Sequence, residues 1–201
     1  MPDISALLDE HLAVAKAVGR LLPSVVDVTN RICQALEAGG CLHAFGNGGS
    51  AADAQHLVAE LIGRYDRDRR PLPAVALSVD PSVVTCIAND YSFEEVFARQ
   101  VDALAWPGDV VVGFTTSGRS PNVVSGLIAG RRRGATTVLF GGGDGGLALE
   151  YADVALMVPS KTTARIQEMH GLLVHLISDG IDSWATDGHR EHPRRTRETE
   201  A

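Results

Sequence analysis

The stretch that decides the fold is Cys41-Leu-His-Ala-Phe-Gly-Asn-Gly-Gly-Ser-Ala-Ala-Asp-Ala-Gln-His-Leu-Val-Ala-Glu60, where an apolar run meets a glycine turn and then a helix-forming segment. This order predicts a strand, a phosphate-type loop and a helix. Gly46, Gly48 and Gly49 let the backbone turn sharply, and Ser50 is expected to cap the helix. Free N–H groups at the start of that helix would point beyond the strand, which predicts an anion site.

The same helix carries an imidazole and a carboxylate on one face. His56 and Glu60 are four residues apart, so both side chains can reach one bound molecule. A plain i, i+4 pair is the commoner explanation of such spacing in isolation. The glycine turn just upstream favours a role in chemistry instead.

Length and composition indicate a single compact domain and argue against some function classes. The chain has 201 residues and a net charge of −7, whereas a protein that coats nucleic acid needs a clustered basic surface. The two basic clusters are interpreted as a solvated helix end and a tail; they are Arg131–Arg133 and Arg194, Arg195 and Arg197. We therefore predict no nucleic-acid partner.

The cysteines and the hydropathy pattern bear on the compartment. Cys33, Cys41 and Cys86 form no C-x-x-C motif, so neither a disulfide framework nor a zinc knuckle is indicated. No apolar run approaches the roughly 18 residues that span a bilayer. These features predict a cytoplasmic protein without a membrane partner.

Short apolar runs alternate with helical patterns along the rest of the chain. Two leading helices are predicted at 3–19 and 24–38, divided by Pro23. Further strands are expected at Ala74–Ser78, Asp109–Phe114, Thr136–Phe140 and Val154–Val158, and helices at 81–88, 92–104, 121–133 and 162–184. Ser92 and Glu95 have the spacing of a capping box, Asn89-Asp90 is expected to break the preceding helix, and the last helix is apolar almost all round.

This alternation predicts an α/β fold with a five-stranded parallel sheet that has helices on both faces. The predicted domain covers residues 1–186, with N-terminal helices at 3–38 and an α/β core at 41–185, and residues 187–201 form a disordered tail. Ligands of such sheets bind beyond the carboxyl ends of the strands.

A second turn follows the third strand, as the glycine turn follows the first. It runs Thr115-Thr-Ser-Gly-Arg-Ser120, and Pro121 suits the first position of the next helix. The two turns can converge on one phosphate, with hydroxyl donors from Thr116, Ser117 and Ser120. We expect this cup to hold its anion with helix N-termini rather than with lysine or arginine.

A dinucleotide site is the competing interpretation of the glycine turn. Gly46-x-Gly48-x-x-Ala51 fits the loose fingerprint, but the acidic residue expected about 20 positions on falls in a charged loop near Asp66 and Asp68. No glycine-lysine-serine/threonine sequence is present, so a nucleoside triphosphate loop is excluded.

Four segments together resemble the sugar isomerase (SIS) domain family and, within it, the phosphoheptose isomerase family. They are Gly46–Tyr65, Ala88–Asp90, Thr116–Asn122 and Thr163–His175. The threonine-serine-glycine loop is common to SIS domains and specifies only a phosphosugar, whereas the set His56, Glu60, Gln167 and His175 is narrower. Arg119 departs from the asparagine expected after the glycine.

The resemblance implies a function, a set of site residues and an assembly. It implies isomerisation of sedoheptulose 7-phosphate to D-glycero-D-manno-heptose 7-phosphate, on the way to nucleotide-activated heptose, with Glu60 and His175 as the acid/base pair. The implied substrate contacts are Asn47, Gly48, Gly49, Ser50, Glu60, Asn89, Asp90, Thr115, Thr116, Ser117, Ser120 and Gln167. It also implies zinc on His56, Glu60, Gln167 and His175, a homotetramer with sites between subunits, and a place for His170 beside the metal set.

The residue types fit this chemistry. A carboxylate can move a proton between two carbons while an imidazole moves protons between the two oxygens of an enediol, and zinc could polarise the carbonyl. His43 and His11 are expected only to pack. The alternative is a non-catalytic SIS-domain binding protein, such as a tetrameric partner of the replication initiator.

Overall fold

The computed structural model describes residues 3–187, in which a parallel sheet lies between two layers of helices. The strands are β1 Leu42–Gly46, β2 Ala74–Ala76, β3 Val110–Phe114, β4 Thr136–Gly142 and β5 Val154–Val158. The helices are α1 Ile4–Val18, α2 Leu22–Glu37, α3 Gly49–Ile62, α4 Pro81–Asp90, α5 Ala98–Leu104, α6 Pro121–Arg132 and α7 Thr163–Thr186. The predicted α/β class, five-stranded sheet and two leading helices are confirmed.

The strand order is β2-β1-β3-β4-β5, and every neighbouring pair is parallel. The chain moves from β1 to one edge of the sheet and then returns to build outward on the other side. The direction therefore reverses between β1 and β3, and loops at such a point leave a crevice that commonly binds ligands. The two turns singled out in the sequence are the loops that follow β1 and β3.

Strand side chains alternate between two cores. Leu42 and Ala44 face the layer that contains α2, α3 and α7, whereas Phe45 faces the layer that contains α4, α5 and α6. On that second face Phe45 stacks on Phe97 with ring centroids 4.8 Å apart. All five residues of β1 are buried, so the sheet is a rigid base for the glycine turn.

Helix α7 packs against α1, α2 and α3. Its buried side includes Leu173, Ile177 and Ile181, and it also buries the polar side chains of His170 and Asp182 completely. The helix is thus buried over a broad face, as its apolar sequence predicted. Its other side exposes Leu172 at 37% and Leu176 at 38%.

Several predicted boundaries are wrong for local reasons. Pro23 does not divide the leading helices; it lies in the first turn of α2, where its missing N–H costs nothing, and the 3-10 turn Gly19–Leu21 separates them. Asn89 and Asp90 do not break α4 but form its last turn. Ser92 makes no side-chain cap and leads into the 3-10 turn Phe93–Glu95, because the chain bends to bury Val96 and Phe97 before α5 begins.

Strand β2 is shorter and more exposed than predicted. It ends at Ala76, and as an edge strand it leaves Val75 38% exposed. No disulfide joins the three cysteines, all of which lie within residues 3–187. No helix within residues 3–187 is long and apolar enough to cross a bilayer.

Other predictions concern the two ends and the arginine runs. Arg131 and Arg132 end α6 and are exposed there, with Arg132 paired to Asp102. The predicted tail beyond Asp187 and its arginines lie outside the described residues. The extent of the domain, 1–186, stays a prediction.

Candidate active site

The glycine turn after β1 needs glycine at the position that starts the helix. Gly48 is the N-cap of α3 and has a φ of +57°, a left-handed conformation that a side chain disfavours. Ser50 is therefore not the cap that was predicted. It lies inside the first helical turn and is 4% exposed.

An amide bridge joins this turn to the start of α6. Asn47 donates through Nδ2 to Oδ1 of Asn122 at 2.8 Å, and Asn122 donates through Nδ2 to Oδ1 of Asn47 at 2.8 Å. The two turns predicted to converge are thus held side by side. Asn122 has no role in the sequence prediction, because an asparagine in the first turn of a helix has many uses and its partner is 75 residues away.

The turn after β3 is shaped by its own hydroxyl groups. Thr115 is 3% exposed, and its Oγ1 accepts from the Gly118 N–H at 3.1 Å. Ser117 is exposed and accepts through Oγ from the Arg119 N–H at 3.2 Å. Ser120 is the N-cap of α6 but makes no side-chain cap, so its hydroxyl is not used by the helix. Substrate contacts by these residues stay predictions.

Two cationic side chains line a pocket at this turn, and the expectation that helix N-termini rather than lysine or arginine hold the anion stays a prediction. Thr116 and Ser117 share this pocket of about 340 Å³ with Arg119, Asp144 and Lys161. Lys161 precedes α7 and is 44 residues from Ser117, so no sequence pattern brings the two together. Arg119 pairs with Asp144 at 2.7 Å, and this hydrogen bond is the main cause that lowers the pKa of Asp144.

Next to this region, three side chains from α3 and α7 converge. His56 Nε2 lies 2.9 Å from Glu60 Oε1 and 3.2 Å from His175 Nε2. We call His56, Glu60 and His175 the trio; their three ligand atoms all lie within 4.8 Å of one another. Glu60 is only 18% exposed and His56 is 38% exposed, so the trio is partly open to solvent.

The trio fits a tetrahedral metal ion. One His56 nitrogen faces both an imidazole nitrogen and a carboxylate oxygen, and a single proton cannot serve both contacts with good geometry. Two nitrogens bound to one zinc at about 2.05 Å would be about 3.3 Å apart in a tetrahedral site, close to the 3.2 Å found here. Imidazole and carboxylate are also ordinary zinc ligands.

The amide of Gln167 lies against Gly49 of the glycine turn and takes no part in the contacts described for the trio. A Cβ on Gly49 would be 2.5 Å from Gln167 Nε2, so only glycine leaves room for this amide. Eight residues of helix separate Gln167 from His175, a rise of about 12 Å. This position suits the predicted substrate contact, and the predicted metal contact stays a prediction.

Asn89 and Asp90 make contacts that stay within α4. Asn89 donates to Asp90 at 2.8 Å, and the Cys86 thiol lies 3.5 Å from the same carboxylate. Both residues are exposed. The structure of one chain does not join them to the trio, and their predicted substrate contacts are not tested.

The remaining histidines within residues 3–187 have packing partners. His43 is 2% exposed and lies 3.2 Å from Asp109, and His11 lies 2.7 Å from Glu168. His170 is fully buried; its Nε2 is 3.3 Å from the Gly141 carbonyl and its Nδ1 is 3.7 Å from Asp53. It lies beneath the turns rather than in the trio.

Sequence reasoning missed the contact that ties the two helices of the trio together. Arg69 donates to the carbonyl groups of Glu60, Leu61 and Gly63 at the end of α3. It also donates to Asp182 of α7 at 2.8 Å, in an ion pair whose side chains are 2% and 0% exposed.

Asp182 accepts two further hydrogen bonds, from the N–H groups of Asp66 and Arg67 at 2.8 and 2.9 Å. Burial raises the pKa of Asp182, but these donors and Arg69 outweigh it and hold the pKa below its usual value. The role of Arg69 was not predicted because no sequence pattern marks an arginine that folds back on its own helix.

Comparison with known proteins gives one consistent result. The sequence profile of the SIS domain matches residues 12–142. The phosphoheptose isomerase of Aquifex aeolicus (strain VF5) is 51% identical over 158 residues, or 79% of this chain and 83% of that protein.

Two solved structures extend the likeness over the last helix. That of the phosphoheptose isomerase from Neisseria gonorrhoeae is 42% identical with a TM-score of 0.85, covering 90% of this chain and 97% of that chain. That of the phosphoheptose isomerase from Francisella tularensis is 33% identical with a TM-score of 0.87, covering 90% and 96%. The profile includes both turns and two members of the trio but ends before α7.

Proposed function

Because the chain belongs to the SIS domain family and, within it, to the phosphoheptose isomerases, we propose that it interconverts sedoheptulose 7-phosphate and D-glycero-D-manno-heptose 7-phosphate. The observation that carries this proposal is the convergence of Glu60 and His175 within the trio, beside two turns suited to a phosphate. The product would lead towards nucleotide-activated heptose.

The reaction needs one carbon-bound proton to move between neighbouring carbons. We assign Glu60 as the base that removes a proton from C1 of the ketose and returns it to C2 through an enediolate. The hydroxyl proton on O1 is lost and O2 gains one, and His175 is placed to transfer these protons. Glu60 touches His56 through Oε1, which leaves its other oxygen for the substrate.

The proposal includes a zinc ion held by His56, Glu60 and His175, with Gln167 as a further candidate ligand. Bound zinc would polarise the carbonyl and stabilise negative charge on the enediolate oxygens. The close contact between the two imidazole nitrogens supports this site, since a cation between them removes the need for a shared proton.

Zinc can be tested by metal content and by a substitution. Wild-type protein should contain about one zinc per chain. Chelation should lower its turnover, and addition of zinc should restore it. His56→Ala should lose the metal, whereas His11→Ala, which removes a packing histidine, should keep it. Full activity of metal-free protein would show that zinc has no part in the reaction.

The proposed substrate contacts begin at the two turns. The phosphate would lie between the glycine turn and Thr116, Ser117 and Ser120, with Thr115 shaping the loop. Asn47, Gly48, Gly49, Ser50 and Gln167 would contact the sugar or the phosphate from the α3 side. Asn89 and Asp90 would join them only if a second chain or a loop movement brings α4 closer.

We also propose a homotetramer with sites between subunits. The exposed side of α1 has an apolar stripe at Ile4, Leu8 and Leu12, which are 71%, 59% and 57% exposed. The adjacent α7 exposes Leu172 and Leu176. Contiguous apolar surface of this kind usually marks an interface.

A cytoplasmic location is part of the same proposal. The substrate is a phosphorylated intermediate, and three cysteines without a disulfide suit a reducing compartment.

The experiment that tests the function is proton NMR of sedoheptulose 7-phosphate with the protein in D₂O. We expect aldose signals to appear and deuterium to enter at C1 and C2. A binding protein would give neither change, so absence of both conversion and exchange would favour the non-catalytic alternative. Fructose 6-phosphate, a ketose phosphate with one carbon fewer, serves as the control for the length of the sugar chain.

A further inference from the structure

The two cationic side chains in the pocket beside the turn after β3 differ in whether a carboxylate neutralises them. Arg119 is engaged: it pairs with Asp144 at 2.7 Å and donates to the Ser117 carbonyl at 3.2 Å. Asp144 is also fixed, since it accepts from the Gly146 N–H at 3.1 Å. The charge of Arg119 is therefore largely compensated by Asp144, which lies in the loop after β4.

Lys161 is different. Within residues 3–187 no carboxylate oxygen lies within 4 Å of its amine, although the same criterion finds pairs for Arg119 and nine other arginine or histidine side chains. Its side chain is exposed and lines the pocket with the hydroxyl-bearing residues Thr116, Ser117 and Thr163. An uncompensated ammonium facing hydroxyl donors is an arrangement that suits a phosphate dianion.

We propose that Lys161 binds the phosphate of the sugar substrate, while Asp144 holds Arg119 away from it. This inference rests on the proposed function, because Thr116 and Ser117 belong both to the pocket and to the proposed phosphate cup. The lysine stem is flexible and can bring its amine to the anion after the hydroxyl groups have fixed it. Lys161 is thus a specificity residue for the phosphorylated end of the substrate.

The kinetic test compares Lys161→Gln with Arg132→Gln. Both substitutions remove one positive charge, but Arg132 lies at the other end of α6 and pairs with Asp102 on the surface. Lys161→Gln should raise KM for sedoheptulose 7-phosphate roughly tenfold at low salt, the scale of one charge-assisted contact, and change kcat less than twofold. Its KM should also depend less on ionic strength.

The control and the conservative variant complete the kinetic test. Arg132→Gln should leave KM unchanged, and Lys161→Arg should recover most of the lost affinity. An unchanged KM in Lys161→Gln, or a loss confined to kcat, would overturn the proposal.

A second test does not depend on isomerase activity. The chain has only two lysines, Lys16 and Lys161, so Lys16→Arg leaves Lys161 as the single lysine side chain. Reductive methylation of this variant, followed by mass spectrometry of the peptides, reports the accessibility of Lys161. Both sedoheptulose 7-phosphate and inorganic phosphate should slow its methylation, with the free N-terminal amine as an internal reference.

This test separates two sources of the phosphate group. If both the sugar phosphate and inorganic phosphate slow the methylation of Lys161, the proposal stands, and if neither does, it is overturned. If inorganic phosphate protects Lys161 while the sugar phosphate does not, the pocket binds a free anion and the proposal is overturned. A protein that lacks isomerase activity but whose Lys161 is protected by the sugar phosphate would refute the proposed function alone.

Discussion

At the scale of single residues, Glu60 and Ser117 separate chemistry from binding. Glu60 touches His56 in the trio, while Ser117 lies on the turn that follows β3. Glu60→Gln keeps the volume and hydrogen bonding of the side chain but removes the base. Turnover should fall about 100-fold or more, the scale of general-base catalysis.

Substrate affinity of Glu60→Gln, measured by calorimetry, should largely survive. Glu150→Gln, an exposed substitution on the other side of the sheet, should leave both quantities unchanged. Near-normal turnover of Glu60→Gln would show that this face of α3 is not catalytic.

Ser117→Ala should impair substrate binding more than turnover, the reverse of Glu60→Gln. It removes a hydroxyl that would bind the phosphate equally in the ground state and the transition state, so KM should rise about threefold to tenfold with a smaller change in kcat. The check is steady-state kinetics on the phosphorylated sugar. Equal KM values for wild type and variant would remove Ser117 from the phosphate site.

At the scale of elements, the Arg69–Asp182 pair joins the ends of α3 and α7. Asp182→Asn leaves a buried guanidinium without its counter-charge, which costs about 3–5 kcal/mol of unfolding free energy. Denaturant unfolding should show this loss. Asp179→Asn is the matched control, because Asp179 is one turn earlier on α7 and its pair with Arg67 is exposed; it should cost less than about 1 kcal/mol.

The same carboxylate predicts a pH dependence of stability. The pKa of Asp182 is lowered in the folded chain, so its contribution is fully present above the unfolded value of about 3.9 and is lost as the pH falls below it. Wild type should therefore lose stability below about pH 4 more steeply than Asp182→Asn. If the free energy of unfolding changed equally with pH in the two proteins down to pH 3, this assignment would be contradicted.

Elements were more predictable than the contacts between them. Alternation of apolar runs and helical spacing identified all five strands, because the periodicity is a property of neighbouring residues. The cap at Ser50 was wrong because α3 already begins at Gly49, after the left-handed Gly48. The helix start at Ser92 was wrong because burial of Phe97 decided the local path. Lys161, Asn122 and Arg69 could not be found, because each acts on a residue brought close only by the fold.

At the scale of the whole molecule, the SIS profile and the site do not coincide. The profile spans residues 12–142 and thus the two turns, whereas His175 and Gln167 lie on α7 beyond it. The two turns thus lie within the part matched by the SIS profile, whereas the proposed acid/base residue His175 lies on the last helix. The motif on α7 was still recognisable in the sequence because it keeps fixed spacings within one helix.

Assembly is the prediction that belongs to this scale. Leu8→Glu together with Leu12→Glu places two charges on the apolar stripe of α1 and should convert a tetramer into smaller species, measured by light scattering. Leu104→Glu, which alters an exposed leucine on the opposite face of the sheet, should remain tetrameric. A wild-type chain that is a well-folded monomer at micromolar concentration would rule out this interface.

The late position of α7 has a consequence for biosynthesis. His175 follows Glu60 by 115 positions, and a ribosome adding about 5–20 residues per second needs roughly 6 to 23 s to make that stretch. Throughout this interval the nascent chain lacks the helix that covers Leu57 and Leu61 of α3. Newly made chains therefore expose apolar surface of α3 until α7 has been synthesised, and a chain released by the ribosome before that point would carry the two turns without His175.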